Sequence, residues 1–185
     1  HRKTLFSIGF VPSVFYGQLP LMVRRLRQNK NLEIVLHELK TREQVEALKV
    51  GRIDIGFGRL NIQDPDVEQE ILFDEPMIAA VPASHSLTRH PPSMKELSEV
   101  PMITFPAGAG PNFSDITQGL FHRRGLRVHV IQQVNDLQTA LSLVASDMGF
   151  TLVPEQVRRL HREGVDYMPL EDDNITTPVI ASRRR

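Results

Sequence analysis

The chain has 185 residues, with 22 Lys plus Arg against 22 Asp plus Glu and 41% hydrophobic residues. A chain this long buries roughly 70% of its unfolded surface, enough for a core without staples, and the lack of cysteine excludes a disulfide scaffold, thiol chemistry and Cys-ligated zinc. Zero net charge gives no global positive field for a nucleic-acid backbone, and the longest apolar stretches, over 77–82 and 140–145, are far too short for a bilayer, so a soluble, cytosolic protein with no membrane contact is expected.

The first residue, His1, is not Met and heads no signal-peptide h-region, which reads as the trimmed start of a longer chain. Leu5, Ile8, Phe10 and Val11 form a short apolar run broken by Pro12-Ser13. Leu19, Leu21, Met22 and Leu26 then recur at helical spacing, giving strand followed by helix. A second strand is expected over 32–39. Thr41-Arg42-Glu43-Gln44 fits a capping box, so a helix should start at Arg42, bury Val45, Leu48 and Val50, and stop at Gly51. Ile53, Ile55 and Phe57 alternate as a third strand, and strand-helix-strand-helix-strand implies a parallel sheet.

The second half repeats this logic, with strands over 71–73, 77–81 and 101–105 and an S-x-x-E box at Ser93 and Glu96 on a short helix. Pro111 suits the first turn of another helix, whose Phe113, Ile116, Leu120 and Phe121 share one face and which ends near Gly125. After a strand over 127–134, Asn135 and Gln138 are expected to cap a helix with Leu137, Leu141, Val144 and Ala145 buried, closed by Gly149. Strand 150–153, helix 155–161 and strands 167–170 and 177–181 complete the chain. The expected fold class is α/β, as two Rossmann-like lobes with a ligand cleft between them.

The seven histidines, His1, His37, His85, His90, His122, His129 and His161, never pair at metal-site spacing, so no metal is expected. No nucleophile elbow or P-loop occurs, and the glycine-rich run 106–111 lacks a third glycine for dinucleotide binding, so no cofactor is expected. Three strand-to-helix turns are more informative: Pro12-Ser13, Lys40-Thr41 and Gly110-Pro111-Asn112 each place amides at a helix N-terminus, which attracts carboxylate or phosphate. In a parallel sheet such turns lie at the carboxyl ends of the strands, where open α/β folds bind ligands. Helix caps alone explain Ser13 and Thr41 equally well. Arg59, after the third strand, could reach the same region as a fork-shaped anion partner or stand solvated. Asp136 reads as a first-turn acid favoured by the helix dipole.

The run over 44–57, QVEALKVGRIDIGF, resembles LysR-type transcriptional regulators, in which a helix ends in Gly and a strand reads I-D-hydrophobic-G. Glu75-Pro76-Met77 through Pro82-Ala83-Ser84-His85-Ser86-Leu87 is similar to the family's crossing strand and H-P-L turn, with Ser86 where Pro is common. The stretch 140–154 resembles its helix-Gly-strand-Pro segment, with Asp147 where a second Gly is often found. The resemblance covers the whole chain and implies a type 2 periplasmic-binding-protein-like effector domain, with lobe I over 1–74 plus 173–185 and lobe II over 75–172. It also implies that the N-terminal winged helix-turn-helix, the linker helix and a final helix lie outside this sequence.

Residues 9–13, 56–60, 105–106 and 111–113 look most like the regulators of catechol and benzoate degradation that sense cis,cis-muconate. That likeness implies a small dicarboxylate effector, muconate or a chlorinated muconate, with one carboxylate at Ser13, Val14 and Thr41 and the other at Pro111, Asn112 and Phe113. It further implies an Arg59–Asp136 charged pair near the cleft, lobe closure as the signal, dimers or tetramers, promoter DNA bound only through the missing N-terminal domain, and gene activation without catalysis. Pro12 replaces a more usual small polar residue, a departure that bears on ligand preference. The rival readings are a periplasmic solute-binding protein for a small carboxylate, which shares this architecture, and a transferase, for which no general base is well placed.

Overall fold

A computed structural model describes residues 2–185, and His1, counted among the histidines above, lies outside the described residues. The chain divides into two units, the first holding residues up to Glu75 together with Pro178–Arg185, the second Pro76–Thr177. In chain order, β1 (Thr4–Phe10) leads through a 3-10 turn, Pro12–Tyr16, to α1 (Leu19–Arg27), then β2 (Leu32–Glu38), α2 (Thr41–Lys49) and β3 (Ile55–Gly58). The next strand, β4 (Val67–Pro82), is continuous over 16 residues where two strands were expected. Pro76 does not break it, because the fixed φ of proline suits an extended chain.

The remaining elements are α3 (Met94–Ser98), β5 (Met102–Thr104), α4 (Phe113–His122), β6 (Val130–Gln133), α5 (Leu137–Ala145), β7 (Thr151–Pro154), β8 (Val165–Met168) and β9 (Thr176–Arg184). Among the described residues no helix is long and apolar enough to cross a membrane.

Several local expectations are corrected. Thr41 is the first residue of α2 rather than its cap. Lys40, extended at φ −62° and ψ 157°, precedes the helix, and no side chain caps it. Gln44 does not reach back, because its amide is buried and bonded elsewhere. Val50 is 76% exposed rather than in the core, since the helix has already turned into the left-handed Gly51 at φ +74°. Pro111 lies before the cap of α4, not in its first turn, and Asp136 rather than Asn135 caps α5. Asp147, not Gly149, supplies the left-handed residue after α5, at φ +62°. The expected helix over 155–161 is a short 3-10 turn, Glu155–Arg159. The Ser93 box forms as expected, with Ser93 Oγ accepting from Glu96 N and Glu96 Oε1 from Ser93 N.

Within the first unit β1 is parallel to both β2 and β3, as the strand-helix alternation requires, whereas β9 runs antiparallel to β3. The core packs Ile8, Val14, Leu19, Val23, Phe57, Val179 and Ala181 together, and a second cluster gathers Leu39, Val45, Ala47, Leu48, Ile53 and Val67. Within the second unit β4 is antiparallel to β7 and β8, and β5 is parallel to β6. Its core includes Phe121 set edge-on to Phe150, ring centres 6.0 Å apart.

Candidate functional site

The register of the parallel strands brings the first group of candidate residues to one edge. Phe10 lies opposite both Glu38 and Phe57, so the chain leaves β1, β2 and β3 side by side, with Ser13, Thr41 and Arg59 a few residues further on. Ser13 and Val14 are buried in the 3-10 turn. The Arg59 guanidinium, itself buried, donates from Nε to Ser13 Oγ at 2.9 Å and from Nη2 to Ser13 O at 2.9 Å. Thr41 lies next to the end of β3, its Oγ1 3.8 Å from the point where a Cβ on Gly58 would lie.

Arg59 is also held by a residue not singled out from the sequence. Its Nη2 meets Glu75 Oε1 at 2.6 Å, and the other Glu75 oxygen accepts from Gln18 N at 3.2 Å. Both side chains are almost fully removed from solvent. Burial lowers the Arg59 pKa and the neighbouring Glu75 carboxylate opposes that shift. The resemblance pairs Arg59 with Asp136, but the carboxylate that Arg59 holds within its own unit is Glu75. A signal for Glu75 was present, as an acid between two apolar runs of a strand is rarely buried without a cation.

This geometry sets the direction of the Ser13 hydroxyl. A hydroxyl carries one donor hydrogen and accepts through its oxygen. Because Arg59 Nε–H occupies an acceptor position, the Ser13 hydrogen remains to donate, strengthened by the cation behind it. At α2 no side chain caps the first turn, so the Thr41 hydroxyl and the leading amides are not consumed by one another. The first unit therefore presents the Ser13 hydroxyl, held by the buried Arg59, and, next to the end of β3, the Thr41 hydroxyl at the start of α2.

The second group is clustered in the second unit. Asn112 caps α4, accepting from Ser114 N at 2.9 Å, while Asp115 Oδ2 accepts from Asn112 N at 2.9 Å. This reciprocal cap overturns the simple expectation that the α4 amides stand free, since those of Asn112 and Ser114 are spent on side chains. Pro111 is exposed at the entry of the helix, and Phe113 is buried against Phe105, ring centres 5.5 Å apart. Behind them, Ser114 Oγ donates to Thr104 Oγ1 at 2.7 Å and accepts from Gln118 and Gln133 at 3.2 Å, which fixes the first turn.

Asp136 begins α5, its Oδ1 accepting from Thr139 N at 2.8 Å. The Thr139 bonds, the backbone amide first, hold its carboxyl below the usual range. Asp136→Ala is therefore expected to cost about 1 kcal/mol in urea denaturation near neutral pH. A carboxylate whose folded pKa is depressed stabilises above its unfolded pKa and loses that effect as the pH falls through the folded one, so the variant and the parent should converge in acid. Equal midpoints at neutral pH would remove the cap from the account. Among the described residues no group of three or more His, Asp or Glu side chains could hold a metal.

Comparison with known proteins places this architecture in a class of ligand-sensing domains of bacterial regulators. Residues 1–185 match the family described as the LysR substrate binding domain, and the chain belongs to that family. Its α/β fold is of the type 2 periplasmic-binding-protein kind. It is 44% identical over 184 residues to the HTH-type transcriptional regulator CatR of Pseudomonas putida, covering 100% of this chain and 64% of CatR. It is 38% identical over 187 residues to BenM of Acinetobacter baylyi, covering 99% of this chain and 61% of BenM. The solved BenM effector binding domain with its effector benzoate superposes with a TM-score of 0.94 at 36% identity, covering 100% of this chain and 85% of that one. The chain thus spans less than two thirds of the length of these full regulators, and these relatives are transcriptional regulators rather than enzymes.

Proposed function

We propose that this chain is the effector-sensing domain of a LysR-type activator of aromatic-compound degradation, binding a small dicarboxylate such as cis,cis-muconate or a chlorinated muconate. One carboxylate is received by the Ser13 and Thr41 hydroxyls beside Val14, whose amide is shared with Val11 O, and the other at Pro111, Asn112 and Phe113, where the Asn112 side-chain amide rather than its backbone N–H is the donor. The observation that carries this reading is the buried Arg59, whose Nε–H holds the Ser13 oxygen and leaves the hydroxyl hydrogen for an acceptor. Arg59 acts through Ser13 in this scheme, because Glu75 already neutralises it. A BenM structure carries benzoate as its effector, and benzoate shares the carboxylate that such donors recognise.

A ligand held at both units favours whichever arrangement lets both contacts form, and only that differential affinity can shift an equilibrium. In the intact regulator, assembled as a dimer or tetramer in the cytoplasm, this shift would act on promoter DNA through an N-terminal winged helix-turn-helix. The domain itself turns over no substrate.

Calorimetric titration of cis,cis-muconate, 2-chloromuconate and benzoate into the chain tests the ligand class. A dicarboxylate is expected to bind, to be recovered unchanged, and to bind at least about tenfold more weakly to the Ser13→Ala/Thr41→Ala variant, a loss of roughly 1.4 kcal/mol. Undiminished affinity would take both hydroxyls out of the site, and consumption of muconate would defeat the sensor reading.

A further inference from the structure

We infer that Gln44 is a positioning residue for the carboxylate-receiving edge of the first unit, through an amide that ties together the strand ends from which Ser13, Thr41 and Arg59 emerge. The inference rests on the proposed carboxylate site. Gln44 is 2% exposed and points inward from the first turn of α2. Its Nε2 donates to Leu39 O at 3.0 Å, just past β2, and to Phe57 O at 3.1 Å, in β3. Phe57 O also accepts from Val11 N at 3.1 Å, just past β1, and Leu39 N donates to Phe10 O at 2.9 Å. One amide nitrogen thus closes a ring of hydrogen bonds across the last backbone groups of three parallel strands, beyond the ladder that pairs them. Thr41 lies one turn before it on α2, Gly58 and Arg59 directly follow Phe57, and Ser13 is two residues after Val11.

The surroundings keep this place open. A Cβ on Gly56 would strike Gln44 Oε1, and one on Gly9 would lie 3.4 Å from Gln44 Cγ and 2.8 Å from Ile53 Cδ1. The glycine of the I-D-I-G run is therefore required by the approach of the Gln44 amide, since neither glycine has an unusual φ. A residue needed only to fill volume would be apolar here. A primary amide supplies two hydrogens on one nitrogen, which suits the Leu39 carbonyl and the second acceptor position of the Phe57 carbonyl, whose first is taken by Val11 N.

The test compares Gln44→Met, which keeps the volume and removes both donors, with Val45→Ala, which weakens the next position of the same helix. Affinity for cis,cis-muconate and the thermal midpoint are measured on the same samples. Gln44→Met is expected to bind at least tenfold more weakly, and Val45→Ala within twofold of the parent once compared at temperatures where both are folded. Binding of Gln44→Met within twofold of the parent, or an equal loss in Val45→Ala, would overturn the inference. Gln44→Asn, too short to span both carbonyls, replaces Gln44→Met if the latter does not fold, with the same expected loss and the same overturning result. If the parent binds no muconate, the ligand proposal falls, and the positioning role is judged by amide NMR shifts without ligand. Shifts at Thr41, Gly58 and Arg59 in Gln44→Met but not in Val45→Ala support it, and unmoved resonances overturn it.

Discussion

Replacing Arg59 with Met is expected to destabilise the chain by about 3–5 kcal/mol, because it leaves the Glu75 carboxylate buried without its cation. Glu75 is 2% exposed and takes one further hydrogen bond, from Gln18 N, too little to hold a full charge away from water. The same change frees Ser13, which Arg59 holds at both its hydroxyl and its carbonyl, so carboxylate binding should fall together with stability. The double variant Arg59→Met/Glu75→Leu removes both charges and should recover much of the stability but none of the binding, since apolar pairs of similar volume often replace buried ion pairs at little cost. Denaturant unfolding of the parent and the two variants checks this. A single variant within 1 kcal/mol of the parent would show that the pair is not the structural centre of the turn.

Gly149→Ala is expected to be the other severe change. At φ +158° the residue is at the edge of the region that L side chains rarely adopt, and an added Cβ would collide with the Pro101 carbonyl and lie 3.0 Å from its carbon. That carbonyl is not free to move, because it accepts from Phe150 N at 3.0 Å where the chain approaches β5. Backbone strain and a collision with backbone rather than with a flexible side chain together cost roughly 3 kcal/mol. Denaturant midpoints read this directly, and a loss under 1 kcal/mol would mean that the junction of α5 and β5 is softer than its hydrogen bonds imply.

What could be read along the sequence was the local part. The Ser93 box, the left-handed Gly51 and the strand-helix alternation over the first sixty residues depend on partners a few residues apart, and each is as expected. The family resemblance likewise rested on short runs, above all the I-D-I-G strand. Where a side chain answers to a distant one, periodicity carries no signal. Gln44 fits a capping box by spacing yet spends its amide on Leu39 and Phe57, because the Leu39 carbonyl has a greater need of a donor than an exposed helix start has. Arg59 meets Glu75 across 16 positions and Ser13 across 46. Asn112 and Asp115 are the opposite case, as their reciprocal cap is local and legible at N-x-x-D spacing.

The first unit is discontinuous, and this bears on how the protein is made. Its β3 is flanked on one side by β9, the last strand of the described chain, while all of the second unit is encoded in between. On the ribosome the second unit can finish folding as soon as residue 177 has emerged. The sheet that bears Ser13, Thr41 and Arg59 keeps an open β3 edge until residues 178–185 have followed.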